Sequence, residues 1–257
     1  MTRVIKIGGR PQGDPALVAA LSSAHRAAPG SLVLVHGGGD EVSALQALYG
    51  AEAKFSGGRR ITSVADLEIL RMALSGSANK RLVAALVGAG VAAVGLSGED
   101  DALILARALD VERYGFVGTP AVVRIALLQH LLHGGYLPVL SPVSRGDAES
   151  GAVTQNVNGD DAASAIAVAL EADELLLVSD VEGVLVDRSP LSSLGADEAR
   201  RLIEGGVAVG GMSAKLEAAL AALEGGVERV RISDIAAIED LGRGTLLTRV
   251  GRGSLCA

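Results

Sequence analysis

The sequence of 257 residues has few aromatic side chains and a single cysteine, and these shortages limit the kinds of protein it can be. Two Phe, three Tyr and no Trp are present although 49% of the residues are apolar, so the core must consist of Ala, Val, Leu and Ile. Such a core is typical of helices packed on a buried parallel sheet. The single Cys256 excludes a disulfide within the chain and fits a reducing compartment.

Long apolar runs and an excess of positive charge are also missing. No apolar run approaches the roughly 18 residues of a membrane-spanning helix, and we expect no signal peptide before the first predicted strand. The formal net charge of −7 makes nucleic acid and anionic membranes poor partners. We therefore expect a cytoplasmic protein that binds neither nucleic acid nor membrane and holds any anion at a local site.

Predicted strands alternate with predicted helices along the chain, which indicates an α/β fold. VIKIGG (4–9), an Ala-rich helix and LVLVHGGG (32–39) form a predicted βαβ unit. A hairpin is expected within residues 103–126, and Pro142 is expected to end the strand YLPVLSPV. We predict a mainly parallel central sheet with helices on both faces, divided into an N-lobe (1–150) and a C-lobe (151–257).

Three glycine clusters stand at the turns of this pattern: Gly8-Gly9, Gly37-Gly38-Gly39 and Gly210-Gly211. Glycine at the carboxyl end of a parallel strand lets backbone N–H groups approach a phosphate, and a following helix adds a favourable dipole. Glycine-rich turns also occur in α/β proteins that bind no such ligand. Neither a P-loop nor a strand-linked GxGxxG motif is present.

Cations accompany the glycine clusters. Lys6 lies inside the first predicted strand, and Lys215 is expected in the first turn of a helix, where the dipole disfavours a cation unless an anion compensates. A surface lysine with a solvated ammonium group is the alternative for each. Arg60, in a glycine-rich loop, suits bidentate binding of a carboxylate, although its neighbour Arg59 could equally serve.

The segment NVNGDDA (156–162) contains polar side chains that could complement these cations. Asn156 and Asn158 alternate on a predicted extended segment and would face the same way, and Asp160 continues that face. Such a row could bind a polar ligand while Asp160 holds the lysines. An Asx turn that caps the following helix also explains these residues.

Several motifs of other enzyme classes are missing. The four histidines show no spacing typical of metal ligands, and neither a zinc-hydrolase motif nor a serine-esterase elbow is present. We therefore predict no metal ion held directly by the protein. Lysines, glycine turns and one aspartate, without an evident general base, suit phosphoryl transfer to an acceptor that is already ionised, such as a carboxylate.

The motifs VIKIGG, LVHGGG, GGRRIT, NVNGDDA, SDVEG and GGMSAK occur in an order and spacing that resembles the amino-acid kinase superfamily and, within it, the acetylglutamate kinases. The resemblance implies ATP-dependent phosphorylation of the γ-carboxylate of N-acetyl-L-glutamate in arginine biosynthesis, with Mg²⁺ carried by the nucleotide. It further implies that the N-lobe binds the acyl amino acid and the C-lobe binds ATP, in a homodimer.

The resemblance also implies a role for individual residues. Lys6 and Lys215 would be catalytic, acting on the transferred phosphoryl group and on the nucleotide phosphates, and Asp160 would orient both. The implied substrate-binding residues are Gly37, Gly38, Arg60, Asn156 and Asn158. The implied ATP-binding residues are Gly8, Gly9, Ser179, Asp180, Gly211 and Met212.

The sequence departs from the family's pattern within these motifs. The usual GLRVT is GRRIT here, which places Arg59 beside Arg60, and the usual NVNAD is NVNGD. No helix precedes the first predicted strand, and in this family such a helix accompanies arginine-inhibited hexamers, so we expect an arginine-insensitive homodimer. The alternative functions are a kinase for carrier-protein-bound aminoadipate or glutamate, in lysine or arginine biosynthesis, and a non-catalytic amino-acid sensor with the same fold.

Overall fold

The computed structural model describes residues 1–56, 59–151, 153–186 and 189–249. Cys256 and the glycines of the GGRRIT motif, Gly57 and Gly58, lie outside the described residues. The strands are β1 (Arg3–Ile7), β2 (Leu32–His36), β3 (Phe55–Ser56), β4 (Arg59–Arg60), β5 (Ala93–Gly98), β6 (Ile104–Ala108), β7 (Val117–Val123), β8 (Leu137–Gly146), β9 (Gln155–Val157), β10 (Glu174–Val178), β11 (Leu185–Val186), β12 (Ser189–Pro190), β13 (Ser193–Gly195), β14 (Arg229–Ser233) and β15 (Thr245–Thr248).

Nine α-helices connect these strands within the described ranges. They are α1 (Pro15–Ala27), α2 (Gly39–Leu48), α3 (Val64–Leu70), α4 (Asn79–Gly88), α5 (Val111–Tyr114), α6 (Ala126–His133), α7 (Gly159–Ala169), α8 (Ala196–Glu204) and α9 (Gly211–Glu224). A π-helical segment, Arg71–Ala78, joins α3 to α4, and short 3₁₀ helices cover Arg10–Gly13, Asp100–Ala102 and Ile235–Ile238. In the described part of the chain, no helix combines the length and apolar character needed to cross a membrane.

Eleven strands form one sheet, in the order β13-β15-β14-β10-β1-β2-β8-β6-β7-β9, with β5 also paired to β8. The central strands β14, β10, β1, β2 and β8 are parallel. The predicted mainly parallel sheet is therefore confirmed. The division into lobes 1–150 and 151–257 stays a prediction, and the sheet runs through both ranges because β1 pairs with β10 along five residues.

Helices cover both faces of this sheet, as predicted. Because the side chains of β1 alternate, its neighbouring residues pack against helices on opposite faces. Ile5 and Ile7 pack with residues of α1 and α4, whereas Val4 packs with residues of α7 and α9. Because successive strand residues point to opposite faces, Lys6 lies on the same face as Val4. A lysine within the first strand can therefore reach the helices α7 and α9.

The prediction that Pro142 ends its strand is wrong, because β8 continues to Gly146. β8 pairs with β2 only as far as Leu140 and then pairs with β9 and β6. Its register with β5 also shifts at this point. Pro142 falls at the change of partners, an irregularity of the kind where a sheet tolerates a residue without an N–H donor.

The hairpin predicted within residues 103–126 is confirmed as the antiparallel pair β6–β7. The hairpin belongs to the main sheet, because β6 also pairs with β8 and β7 with β9.

A buried ion network joins three neighbouring strands on the side of the sheet away from the glycine turns. Oε2 of Glu174 on β10 accepts a hydrogen bond from Nε of Arg3 on β1 at 2.7 Å, and its Oε1 lies 3.3 Å from Nε of Arg231 on β14. Arg3 also donates to the carbonyl of Ile238 at 2.9 Å. The network links the first strand to strands that lie more than 170 residues later in the sequence.

Candidate active site

The carboxyl ends of β1 and β2 meet at one edge of the sheet, and a glycine turn follows each strand. Gly8 and Gly9 follow β1, and Gly37 and Gly38 follow β2. The turns touch each other, because a Cβ atom added at Gly9 would lie 3.5 Å from Cα of Gly38. Gly38 has a φ of +151°, and a Cβ there would lie 2.7 Å from Cδ2 of Leu74. Only glycine fits this position without strain.

Two cavities lie beside these turns. The first cavity has a volume of about 260 Å³, and its polar lining includes Lys6, Arg59, Arg60, Asn156, Asn158 and Asp160. The second cavity has a volume of about 230 Å³, and its lining includes Asp40, Ser179, Asp180 and Lys215. Gly8, Gly9 and Gly39 line both, so the two cavities meet at the glycine turns.

Lys6, Asp160 and Lys215 meet beneath this junction. Nζ of Lys6 lies 2.9 Å from Oδ1 of Asp160, and Nζ of Lys215 lies 3.5 Å from the same oxygen atom. The three residues come from β1, the first turn of α7 and α9, and all are at least 91% buried, with exposed fractions of 6%, 4% and 9%. Two positive charges thus share one carboxylate where water screens them little.

The ionisation of these groups reflects that imbalance of charge. Burial acts to raise the pKa of Asp160, but the two ammonium groups outweigh it and hold the pKa of this carboxyl below its ordinary value. Burial and repulsion from Lys6 lower the pKa of Lys215 despite the attraction of Asp160. An anion bound between the lysines would relieve this repulsion, so the site suits a phosphate group.

The position of Lys215 in its helix differs from the prediction. Because α9 begins at Gly211, Lys215 is the fifth helical residue and lies beyond the first turn, so the argument from the helix dipole does not apply. Its burial beside α7 brings it to the site instead. Gly211 and Met212 line neither cavity, and Met212 packs against the core. Their role in binding ATP stays a prediction.

The asparagines of NVNGDDA agree with both interpretations of their spacing, a row of residues that faces a ligand site and a cap for the following helix. Asn156 lies on β9 and donates through Nδ2 to Oγ1 of Thr62 at 3.0 Å. Asn158 caps α7, since its Oδ1 accepts a hydrogen bond from the backbone N–H of Asp160 at 2.7 Å. All three polar residues of the predicted row, Asn156, Asn158 and Asp160, nevertheless line the first cavity.

The two arginines of the β3–β4 hairpin take different partners. Nη1 of Arg60 donates to Oε1 of Gln46 on α2 at 2.5 Å, and its guanidinium stacks on the ring of Phe55. Nη1 of Arg59 lies 3.2 Å from Oδ2 of Asp161 on α7. Burial raises the pKa of Asp161 although Arg59 opposes the shift. Both arginines line the first cavity, but only Arg59 forms an ion pair with α7.

Residues that were not predicted from the sequence hold the glycine turns through their carbonyl groups. Nε2 of Gln12 donates to the carbonyls of Gly8 at 3.1 Å and Gly37 at 2.8 Å. Nδ1 of His36 lies 2.8 Å from the Gly37 carbonyl, and its Nε2 lies 3.1 Å from Nδ2 of Asn79. Burial lowers the pKa of His36 to about 4, so the imidazole is neutral at physiological pH. In the sequence, these contacts were indicated only by His36, a polar residue at the end of the apolar strand LVLVH.

The donors around the two cavities are ammonium, guanidinium, amide and backbone N–H groups, which bind anions. Among the described residues, no three or more His, Cys, Asp or Glu side chains come together as a group that could hold a metal ion.

Comparison with known proteins agrees with this fold and site. Residues 1–234 match the model of the amino acid kinase family. An acetylglutamate kinase of Chloroflexus aurantiacus is 42% identical over 259 residues, covering 98% of this chain and 97% of its own length. An acetylglutamate kinase of Cereibacter sphaeroides is 41% identical over 256 residues, covering 95% of this chain and 86% of its own length. A crystal structure from Streptococcus mutans aligns with a TM-score of 0.86 and 30% identity, covering 96% of this chain and 98% of its own. The chain is a member of the amino acid kinase family.

Proposed function

We propose that the protein transfers the γ-phosphoryl group of ATP to the γ-carboxylate of N-acetyl-L-glutamate, a step of arginine biosynthesis. The observation that carries this proposal is the approach of Lys6 and Lys215 to one oxygen of Asp160 where the two cavities meet. Two relatives named acetylglutamate kinase, 42% and 41% identical over nearly the whole chain, support N-acetyl-L-glutamate as the acceptor.

We assign the acceptor to the first cavity and MgATP to the second. The first cavity carries the cation Arg60 and the amide of Asn156, which suit the α-carboxylate and the acetylated amino group of the acceptor. The second carries Ser179, Asp180 and Lys215, which suit the nucleotide. Gly8 and Gly9 line both cavities, so their backbone N–H groups can stabilise the group in transfer, whereas the N–H of Gly37 already donates to the carbonyl of Ile7 at 2.9 Å.

The reaction needs little covalent chemistry from the protein. An oxygen of the γ-carboxylate bonds to the γ-phosphorus as the bond to the β,γ-bridging oxygen breaks, and the products are an acyl phosphate and ADP. The acceptor is already a carboxylate at neutral pH, so no general base is required. Lys6 and Lys215 then stabilise charge on the transferred group and on the leaving oxygen, and Asp160 keeps both in place.

Mg²⁺ enters as part of the MgATP substrate in this proposal and keeps much of its water. The cytoplasmic location expected from the composition and the homodimer implied by the family resemblance stay predictions. Sedimentation of the purified protein at several concentrations would test the dimer.

A coupled assay of ADP release tests the proposed function. We expect turnover with N-acetyl-L-glutamate and little with N-acetylaminoadipate, glutamate or aspartate, and hydroxylamine should trap the acyl phosphate as a hydroxamate. Lys215→Met should abolish turnover. Lys80→Met provides the matched control, because Lys80 is exposed on α4 and lines neither cavity.

Two other outcomes would replace the proposal. Turnover only with an acceptor attached to a carrier protein would indicate a kinase for carrier-bound glutamate or aminoadipate. Binding of an amino acid without any consumption of ATP would indicate a sensor with the kinase fold.

A further inference from the structure

Gln46 is a polar residue at an apolar position of α2. It lies one helical turn after Val42, both side chains are buried, and only 1% of Gln46 is exposed. Burying an amide costs free energy unless its N–H and C=O groups form hydrogen bonds. A leucine would fill such a position without that cost, so the amide requires an explanation other than packing.

Both ends of the Gln46 amide bind charged residues. Oε1 accepts a hydrogen bond from Nη1 of Arg60 at 2.5 Å, and Nε2 donates to Oδ1 of Asp66 at 2.5 Å. The amide therefore stands between a guanidinium and a carboxylate, and Arg60 and Asp66 are linked through it.

Asp66 is itself fixed by the start of α3. Its Oδ2 accepts from the backbone N–H of Ser63 at 2.8 Å and from Oγ of Ser63 at 2.7 Å, within the capping box of that helix. Burial acts to raise the pKa of Asp66, but hydrogen bonds from Ser63 and Gln46 hold it below its ordinary value. An ionised carboxylate thus orients the Gln46 amide with its oxygen towards Arg60.

Other contacts complete the placement of Arg60 at the wall of the first cavity. Its Nη2 donates to the carbonyl of Gly39 and to Oγ of Ser43, each at 2.9 Å, and its guanidinium carbon lies 4.8 Å from the centre of the Phe55 ring. Among the described residues, no acceptor is found for its Nε–H, and Arg60 lines the first cavity.

We propose that Gln46 is a positioning residue that holds Arg60 in place for the carboxylate of the acceptor while leaving its charge available. The inference rests on the proposed function, in which Arg60 binds the acceptor. A glutamate at position 46 would pair with Arg60 directly and compete with the acceptor for its charge. A neutral amide fixes the guanidinium without neutralising it, and the carboxylate of Asp66 stays one side chain away.

Steady-state kinetics of Gln46→Met and Gln46→Glu test the inference. Methionine keeps the volume of the side chain but removes both hydrogen bonds, whereas glutamate keeps an acceptor for Arg60 and adds a charge. We expect both variants to raise KM for N-acetyl-L-glutamate about tenfold, with KM for ATP within twofold of the wild-type value. A folded Gln46→Met protein whose KM for N-acetyl-L-glutamate stays within twofold of wild type would overturn the inference, and so would such a Gln46→Glu protein.

A second pair of variants keeps the test decisive if Gln46→Met does not fold. Asp66→Ala removes the carboxylate that orients Gln46, and Ser63→Ala weakens the same helix cap but leaves the contact between Asp66 and Gln46. Only Asp66→Ala should raise KM for the acceptor, and equal effects of the two would overturn the inference. A wild-type protein without activity on N-acetyl-L-glutamate would contradict the proposed function instead.

Discussion

The ammonium groups of Lys6 and Lys215 approach the same carboxylate oxygen, at 2.9 and 3.5 Å, from a strand and a helix more than 200 residues apart in the sequence. One carboxylate cannot neutralise both, so the site keeps an excess of positive charge at the junction of two cavities. Lys6 lines the first cavity and Lys215 the second. In the proposed reaction, this arrangement gives one cation to each side of the transferred phosphoryl group.

Lys6→Arg is expected to preserve the fold and lower kcat roughly 100-fold or more. The variant keeps a positive charge, but a planar guanidinium does not reproduce the compact ammonium group at 2.9 Å from Asp160. Thermal unfolding and steady-state kinetics measure the two effects separately. Near-normal turnover would show that Lys6 has no special role in transfer.

Asp160→Asn is expected to lower the free energy of unfolding by about 3–5 kcal/mol, because it leaves two buried ammonium groups without a counter-charge. Burial alone would raise the pKa of Asp160, but the two lysines outweigh burial and hold the pKa below the ordinary value of 3.8 in the folded protein. The wild type therefore keeps this stabilisation above pH 3.8 and loses it as the pH falls towards the folded-state pKa.

Urea unfolding of the wild type and Asp160→Asn at a series of pH values checks this expectation. The difference in stability should be constant near neutral pH and should shrink below about pH 4. A difference that does not change with acidification would mean that the carboxylate of Asp160 is not stabilised by its lysines.

Gly9→Ala and Gly38→Ala are expected to separate catalytic from structural effects at the glycine turns. A Cβ at Gly9 would make an ordinary contact at 3.5 Å and lie at the junction of the cavities, so activity should fall while the melting temperature changes little. A Cβ at Gly38 would clash with Leu74, and Gly38 also has a positive φ, so activity and melting temperature should both fall in Gly38→Ala. Circular dichroism melts and ADP-release kinetics measure the two effects. An equal loss of stability in the two variants would contradict the expectation.

Arg59→Leu and Arg60→Leu should affect acceptor binding unequally. The guanidinium of Arg59 is already paired with Asp161, which weakens its attraction for the carboxylate of the acceptor, so we expect KM for N-acetyl-L-glutamate to change less than about threefold. Arg60→Leu should raise it roughly tenfold or more, because a charge-assisted contact with a carboxylate is lost. The reverse order in acceptor titrations would assign the acceptor to Arg59.

Local patterns in the sequence were sufficient for features that depend on neighbouring residues. The alternation of β1 and the glycines after it predicted that Lys6 lies near a turn at a strand end, because strand geometry repeats every two residues. The capping of α7 by Asn158 also follows from local geometry, because an asparagine just before a helix can accept a hydrogen bond from the first turn.

Contacts between distant elements could not be derived in this way. The bonds of Gln12 to the Gly37 carbonyl and of Gln46 to Asp66 join residues 25 and 20 positions apart, on elements whose packing no local period specifies. The strand at Pro142 could not be predicted from local sequence for the same reason. Proline ends a strand only where a neighbouring strand needs its N–H group, and β8 changes from β2 to β9 as its partner around Pro142.

The buried Arg3–Glu174 pair has a consequence for how the molecule opens. It joins β1 to β10 towards the amino ends of the strands, while Lys6 and Asp160 join β1 to α7 towards the carboxyl end. Ion pairs therefore hold β1 near both of its ends, and the backbone hydrogen bonds between β1 and β10 should break only when the whole protein unfolds. Amide protons of Ile5 and Leu176 should therefore exchange with solvent among the slowest in the chain.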